Sequence, residues 1–274
     1  MSKFVCTTCG VQYPESNLPP ESCPICVEER QYVNPKGQEW TTLGEMRESG
    51  NFTNKIVKEE ENLYSIKTSP AFGIAQTAYL ITENGFNVLW DCITYLDAQT
   101  VEQINQLGGI DAIAMSHPHY YSTIADWAET FDAPIYIHGD DRQWVMEPSN
   151  RIEFWTGEQL ALEASISLHR LGGHFAGGAV LHWLGGKEGL GILLTGDIIQ
   201  VVADQDWVSF MYSYPNLIPL PASKVADIAS RVEGLTFDRI YNAFHKIVSQ
   251  NAGEAVQRSA KRYIDALEGR LFTT

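Results

Sequence analysis

Short apolar runs, each ended by a glycine or a polar residue, recur along residues 63–245. They read LYSIKT, QTAYLIT and FNVLWD over residues 63–91, and then GGIDAIAMSH, APIYIH, GLGILLTGD and FDRIYNAFH. Runs of this length, with alternating or continuous apolar positions, predict β-strands. Asn84 and Gly85 separate two of the runs, as the turn of a β-hairpin does. We therefore expect a large sheet content in this part of the chain.

Four longer segments have the apolar spacing of amphipathic helices. They cover residues 97–109, 122–131, 222–235 and 251–269. Asp97 and Ser122 are predicted to be the N-caps of the first two helices, because short polar side chains at that position accept a hydrogen bond from the first turn. Helices lie between and after the strands without strict alternation. The pattern predicts a mixed α/β (α+β) chain.

Two histidines, His117 and His119, directly follow one predicted strand. In an extended backbone, side chains two residues apart lie on the same side, so both rings can reach one metal ion. Imidazole is a suitable ligand for zinc, iron and neighbouring metals. A pair of this kind alone fits two ordinary loop histidines equally well. The interpretation therefore depends on the rest of the chain.

Three further residues of metal-ligand type follow strand-like runs. His174 lies in GGHFAGG, Asp197 ends GLGILLTGD, and His245 ends FDRIYNAFH. Strand ends are rigid positions from which distant side chains can converge. The glycines around His174 also allow the backbone to approach a metal closely. The sequence therefore indicates one metal centre built from several strand ends.

The order His-x-His, Gly-His-x-x-Gly, Thr-Gly-Asp and a late histidine resembles the metallo-β-lactamase superfamily of metal-dependent hydrolases, over roughly residues 60–250. The resemblance implies a four-layered αββα sandwich. It also implies that His117, His119 and His174 bind one metal, that Asp197 bridges two metals, and that His245 serves the second. An aspartate often ends the preceding strand in this superfamily, so Asp91 is a candidate supporting residue.

The chain departs from the superfamily pattern at two positions, where Tyr121 and Ser122 replace an aspartate and a histidine. Asp197 and His245 alone are too few to hold a second metal, because a stable site needs three or four ligands. We therefore expect a mononuclear centre held by His117, His119, His174 and Asp197. Tyr121 either donates to a developing oxyanion or fills the space of the second metal, and His245 is free to act as a base.

Four cysteines form two Cys-x-x-Cys pairs near the N-terminus: Cys6, Cys9, Cys23 and Cys26. This spacing is typical of a tetrahedral four-thiolate site. A segment of this size buries too little core to fold alone, so a metal would contribute to its folding. Zinc is the expected ion. The knuckles also resemble those of rubredoxin-type iron sites, and iron would imply electron transfer.

Composition and charge limit the class of protein. The formal net charge of −15 argues against binding to a nucleic-acid backbone, which needs an excess of Lys and Arg. There is no run of 18 apolar residues and no apolar signal core at the N-terminus, which argues against membrane spanning and secretion. Paired cysteines of this kind favour metal binding in a reducing compartment. We expect a cytoplasmic protein.

These observations predict a cysteine ribbon over residues 1–38 and a metallo-β-lactamase-like domain over residues 39–274. The expected function is metal-dependent hydrolysis of a small ester, thioester, lactone or phosphoester, with one zinc in the ribbon and one in the active site. Two alternatives stay open. One is a mononuclear-iron enzyme that oxidises thiols or persulfides, and the other is a non-catalytic metal-containing binding module. The expected partner is a small molecule; a homo-oligomer also stays open.

Overall fold

A computed structural model describes residues 1–273 of the chain, which divides into two compact units after Trp155. In the first unit the strands are β1 (Ser2–Cys6), β2 (Gln12–Ser16), β3 (Trp40–Thr42), β4 (Thr53–Glu60), β5 (Leu63–Ser69), β6 (Ala78–Glu83), β7 (Phe86–Trp90), β8 (Ala112–Ala114), β9 (Ile135–His138) and β10 (Ile152–Trp155). Its helices are α1 (Pro24–Val27), α2 (Leu43–Glu48), α3 (Ala98–Gln106) and α4 (Ile124–Phe131).

The first unit contains a large sheet and a small one. The large sheet has the order β10-β9-β8-β7-β6-β5-β4, with β7 to β10 parallel and β4 to β7 antiparallel. The small sheet has the order β2-β1-β3, and Cys6 ends its central strand. Because β3 pairs with β1, residues 40–42 belong to the same small sheet as the N-terminal strand. The predicted domain boundary after residue 38 stays a prediction.

In the second unit the strands are β11 (Gln159–Glu163), β12 (Ile166–Arg170), β13 (Ala179–Trp183), β14 (Ile192–Leu194), β15 (Gln200–Val201), β16 (Val208–Ser209), β17 (Met211–Ser213), β18 (Ile218–Pro219), β19 (Arg239–Tyr241) and β20 (Ile247–Val248). Its helices are α5 (Gly186–Gly189), α6 (Ala222–Glu233) and α7 (Ala252–Leu267). The main sheet has the order β11-β12-β13-β14-β19-β20, and two small hairpins pair β15 with β16 and β17 with β18.

Helices α6 and α7 cover one side of the core of the second unit. Val225, Ile228 and Val232 of α6 and Ala255 and Val256 of α7 are buried in one apolar cluster with residues of β13, β14 and β19. Their spacing is the apolar stripe expected of helices that pack by one face. The predicted helices over residues 222–235 and 251–269 are therefore confirmed. Within residues 1–273, no helix is both long and apolar enough to cross a bilayer.

Several local predictions are also confirmed. Asn84 and Gly85 form the hairpin turn between β6 and β7, and both have the positive φ that such a turn requires. Asp97 caps α3, because its Oδ1 accepts a 2.8 Å hydrogen bond from Thr100 N. The N-cap predicted for the helix after the histidine motif is wrong by one residue. Thr123, and not Ser122, precedes the first residue of α4.

Candidate metal centre

The two histidines of the motif lie in a tight loop just beyond β8. His117 is extended, and Pro118 begins a 3-10 turn that ends at Tyr120. The expectation that both histidines lie on one extended strand is therefore wrong. The rigid φ of Pro118 suits the first position of a helical turn and ends the extended backbone. The rings are nevertheless close, with their centroids 5.1 Å apart, and both side chains are buried.

Asp91 holds this loop, as a supporting residue would. It follows β7, and its Oδ1 accepts a 2.8 Å hydrogen bond from the backbone N of Ser116. The hydroxyl of Ser116 in turn lies 2.8 Å from Nδ1 of His117. A hydrogen bond at one ring nitrogen fixes the ring and leaves the other nitrogen for a metal. The contact therefore prepares Nε2 of His117 as the ligand atom.

His174 lies in the glycine-rich loop between β12 and β13. The loop is closed by hydrogen bonds of 2.9 Å from the backbone N of Leu171 and of Gly172 to the carbonyl of Gly178. Gly173 has a φ of +87°, a conformation that favours glycine, and a Cβ there would lie 2.9 Å from Ile228 Cδ1. Nδ1 of His174 lies 3.2 Å from the carbonyl of Met211. That carbonyl can only accept, so Nδ1 carries the proton and Nε2 is available as a ligand.

Asp197 follows β14, in a turn between Thr195 and Ile199. The hydroxyl of Thr195 closes this turn by donating a 2.6 Å hydrogen bond to the carbonyl of Ile199. The phenol of Tyr214 donates a 3.0 Å hydrogen bond to the backbone carbonyl of Asp197. Burial, followed by the charge of Asp197, raises the pKa of Tyr214 well above its ordinary value, so this phenol stays a donor. Tyr214 also lies beside His174, with ring centroids 5.7 Å apart. One tyrosine therefore contacts the segments of two predicted ligands.

Four of the predicted ligands come together. The ligand atoms of His117, His119, His174 and Asp197 all lie within 4.8 Å of one another, and all four residues are buried. A tetrahedral ion with ligands at about 2.0–2.2 Å places them about 3.3–3.6 Å apart, which this spacing accommodates after small adjustments. Three neutral imidazoles and one carboxylate are a donor set for a first-row divalent metal. The residues therefore fit a metal ion.

His245 is not a member of this group of four. The predicted strand ends early, because β19 stops at Tyr241, and His245 lies in the turn before β20 with a φ of +55°. The turn is held by Asn242, whose Oδ1 accepts hydrogen bonds from the backbone N of Phe244 and of Lys246. The expectation that a strand carries His245 is therefore wrong. Its predicted catalytic role stays a prediction.

Tyr121 and Ser122, the two departures from the superfamily pattern, are both buried. Burial, followed by the charges of Asp141 and Asp91, raises the pKa of Tyr121 well above its ordinary value. The Tyr121 phenol is therefore neutral at physiological pH. The hydroxyl of Ser122 accepts a 2.9 Å hydrogen bond from Nε2 of Gln76 and lies 3.4 Å from the carbonyl of Cys92. Neither side chain belongs to the group of four ligands.

The cysteines of the ribbon form a second cluster. Their sulfur atoms lie within 4.8 Å of one another, with Cys6 3.6 Å from Cys26 and Cys9 3.5 Å from Cys23. Four thiolates at about 2.3 Å from one ion are about 3.8 Å apart, so the cluster fits a tetrahedral metal. The hydroxyl of Tyr13 donates to Cys23 Sγ over 3.0 Å. Predicted metal binding is thus supported by two separate donor sets.

Sequence reasoning missed two supports of the centre, Tyr214 and the carbonyl of Met211. Both belong to residues 207–214. The many aromatic side chains of this segment predict that it forms a pocket wall, a core face or a subunit contact. The aromatic composition singled out the segment but did not show that it supports the metal ligands. The hydrogen bond between His174 and Met211 spans 37 residues and leaves no local sequence pattern. Two histidines outside the cluster, His169 and His182, lie on β12 and β13, and Nε2 of His182 bonds the carbonyl of Thr236 over 2.7 Å.

Comparison with known proteins gives one close relative and a consistent fold. No protein-family model matches the chain. A protein of Bacillus subtilis (strain 168), described as the uncharacterized protein YmaE, is 65% identical over 274 residues, which is 100% of both chains.

Among solved structures, DIM-1 metallo-beta-lactamase matches with a TM-score of 0.59 and 15% identity, over 78% of this chain and 98% of that one. A B3 metallo-beta-lactamase with an active-site glutamic acid matches with a TM-score of 0.53 and 19% identity, over 77% and 87%. The predicted metallo-β-lactamase fold, with a four-cysteine cluster near the N-terminus, is confirmed.

Proposed function

The chain belongs to the family of the uncharacterized protein YmaE of Bacillus subtilis and has the metallo-β-lactamase fold, and we propose that it is a metal-dependent hydrolase with a mononuclear centre. The substrate is a small ester, thioester, lactone or phosphoester. The observation that carries this proposal is the buried convergence of three histidines and one aspartate within 4.8 Å. We propose zinc as the ion in both clusters and the cytoplasm as the compartment.

The four ligands would supply three neutral nitrogens and one anionic oxygen to the ion. When bound, a divalent metal supplies Lewis-acid chemistry, because it polarises a carbonyl or phosphoryl oxygen and lowers the pKa of water. Ser116 and the carbonyl of Met211 orient the rings of His117 and His174 through their Nδ1 atoms. The loss of two ligand types at positions 121 and 122 supports one ion in this centre and not two.

Tyr121 is proposed as a hydrogen-bond donor to the oxyanion that develops on the substrate. Its raised pKa keeps the proton on the phenol, so Tyr121 cannot act as a base near neutral pH. A positioned donor of this kind contributes on the order of 10²- to 10³-fold in kcat. His245 is proposed as the base, because imidazole is the side chain that most often moves protons in enzymes.

A panel of chromogenic esters, thioesters, lactones and phosphoesters tests the proposed function. We expect the wild type to hydrolyse at least one class, and the double variant His117→Ala, His119→Ala to show only the background rate. Tyr121→Phe should lower kcat about 10²-fold with little change in KM and in metal content. Tyr136→Phe, at a half-buried tyrosine on β9, is the matched control. Hydrolysis that persists in the double histidine variant would contradict the proposal.

A second candidate function is the oxidation of a thiol or persulfide at a mononuclear iron. An iron-loaded cysteine cluster would favour it, because iron there implies electron transfer, and the hydrogen bonds from Tyr13 and Gln38 to Cys23 Sγ and Cys6 Sγ, at 3.0 Å and 3.1 Å, are of the kind that tunes the potential of thiolate-bound iron. Iron-loaded protein supplied with glutathione persulfide should then consume oxygen. A flat oxygen-electrode trace would remove this candidate.

A further inference from the structure

We propose that the first cysteine knuckle of the ribbon, residues 6–11, positions the loop that carries His117 and His119, so that a metal in the cysteine cluster strengthens metal binding at the histidine cluster. We call residues 116–123 the histidine loop. The inference rests on the metal centre of the proposed function. It concerns the supports of that centre and does not depend on which substrate is hydrolysed.

The knuckle is a tight turn around the first cysteine pair. The backbone N of Cys6 donates to the carbonyl of Val11 over 3.0 Å, and the backbone N of Gly10 donates to the carbonyl of Cys6 over 2.8 Å. Gly10 has a φ of +82°, which favours glycine. A Cβ at Gly73 would lie 3.1 Å from the N of Gly10, so another loop packs directly on this turn. The knuckle is thus a buried part of the first unit.

Thr94 connects the knuckle to the histidine loop. Its hydroxyl donates a 3.1 Å hydrogen bond to the carbonyl of Gly10, and its own carbonyl accepts a 2.8 Å bond from the hydroxyl of Thr123. The approach is close, because a Cβ at Gly10 would lie 2.2 Å from Thr94 Oγ1. Thr94 and Thr123 are both buried. Thr94 therefore joins a cysteine turn, through its side chain, to the end of the histidine loop, through its backbone carbonyl.

A second connection is direct. The backbone N of Gln12 donates a 3.0 Å hydrogen bond to the carbonyl of Ser122, three residues after His119. The side chain of Gln12 donates to Asp126 Oδ2 over 3.1 Å, and Nζ of Lys3 lies 2.9 Å from Asp126 Oδ1. Asp126 belongs to α4, the helix that the histidine loop enters. The ribbon therefore contacts both the loop and the helix that follows it.

These contacts also give position 122 a role. In the superfamily pattern this position supplies a ligand to a second metal, whereas here the carbonyl of Ser122 accepts from the ribbon and its hydroxyl accepts from Gln76. Its Oγ would lie 3.9 Å from a Cβ at Gly10. Ser122 is therefore a neighbour of the knuckle, and its backbone carbonyl is bonded to the ribbon.

The cysteine metal would matter because the ribbon has a small core. Its buried cluster consists of the four cysteines with Val11, Tyr13 and Ile25, and cores of this size are usually completed by a metal. Without that metal the knuckle would loosen, and buried polar groups of Thr94 and Ser122 would lose their partners. Leaving such groups unsatisfied is costly, and a loosened histidine loop binds metal more weakly.

A competition titration of zinc against a chromophoric chelator tests the inference on the full chain. We expect the affinity of the histidine cluster to fall on the order of 10- to 100-fold in Cys6→Ser, Cys9→Ser, as when outer supports of a metal site are lost. Thr94→Val keeps all four cysteines and removes only the bond to Gly10; its expected loss is on the order of tenfold. Thr77→Val is the matched control, because Thr77 is buried and its hydroxyl has no hydrogen-bond partner among the described residues. Unchanged affinity in both test variants would overturn the inference.

Hydrogen exchange separates this inference from the proposed function. In the wild type, exchange of the amides of residues 119–124 should accelerate when the cysteine metal is removed by a chelator and slow again when it is restored. Thr94→Val should show the faster exchange even with the cysteine cluster loaded. If the histidine cluster of the wild type binds no metal, the proposed function fails. The exchange of residues 119–124 with and without the cysteine metal still shows whether the knuckle positions the histidine loop. Identical exchange with and without the cysteine metal would contradict it.

Discussion

The two candidate metal clusters differ in how the chain assembles them. The four cysteines come from residues 6–26, whereas the histidine cluster takes ligands from positions 117 to 197. Local ligands can bind an ion while the rest of the chain is unfolded, and the ion then contributes to folding. Ligands that are far apart in the chain come together only after the chain has folded. The cysteine cluster can therefore bind its ion early and help to form structure, whereas the histidine cluster depends on structure already formed.

The donor atoms of the two clusters also differ. Four sulfurs form a closed set that suits a structural ion, whereas three nitrogens and one carboxylate suit an ion that performs chemistry. The supports differ as well. Tyr13 and Gln38 donate to the sulfur atoms themselves, whereas Ser116, Met211 and Tyr214 hold rings and backbone behind the ligands. Substitutions at the two clusters should therefore have distinguishable effects.

The largest expected effect is that of Asp197→Asn. It removes the single anionic ligand of the histidine cluster, so the affinity of that cluster should fall more than about 100-fold, which exceeds the usual cost of losing an outer support. Hydrolysis should fall to the background rate, and the cysteine cluster should keep its metal. Elemental analysis and the substrate panel measure both effects. His182→Gln, a buried histidine outside the cluster, serves as the control, and a variant that keeps both metals and full activity would refute the ligand assignment.

A smaller effect is expected for Tyr214→Phe, which removes the hydrogen bond to the carbonyl of Asp197 and keeps the ring. The affinity of the histidine cluster should fall on the order of tenfold, because outer supports contribute at that level. The cysteine cluster should be unaffected. Chelator competition measures both affinities, with Tyr136→Phe as the control. Equal affinities in Tyr214→Phe and the wild type would show that this contact does not position Asp197.

The smallest effect concerns stability away from both clusters. Burial, followed by the charge of His182, lowers the pKa of His169 from 6.5 to about 4. The unfolded chain therefore takes up this proton at a higher pH than the folded chain, and the free energy of unfolding decreases as the pH falls from 6.5 to about 4. In His169→Gln this contribution is absent. Urea unfolding at several pH values should show a weaker pH dependence for the variant; identical slopes would contradict the assignment.

Predictability from sequence follows the same division between local and distant contacts. The cysteine cluster was predictable from spacing alone, because its ligands are neighbours in the chain. The histidine cluster was predictable only through the order of motifs, and its local geometry was not, since Pro118 turns the backbone where a strand was expected. His245 was misplaced because β19 ends four residues before it.

The supports of the centre were the least predictable part. Asp91 could be named as a support only through the resemblance, because an aspartate often ends this strand in the superfamily. Tyr214 could not, because its hydrogen bond to Asp197 spans 17 residues and depends on the small strands between them. The contact of Thr94 with Gly10 spans 84 residues and has no sequence signature at all. Such contacts are decided by packing of the folded chain, which residue patterns do not encode one by one.

Metal content tests the assignment of the two clusters most directly. It is measured on wild-type protein purified without chelators or added metal, and on the double variants Cys6→Ser, Cys9→Ser and His117→Ala, His119→Ala. If each of the two donor clusters holds one ion, as proposed, the wild type contains two metals per chain. Each double variant should lose the metal of its own cluster, with the cysteine variant also binding the second metal more weakly. Three metals in the wild type would show that the histidine cluster holds more than one ion. A histidine variant that retains two metals would show that His117 and His119 are not ligands.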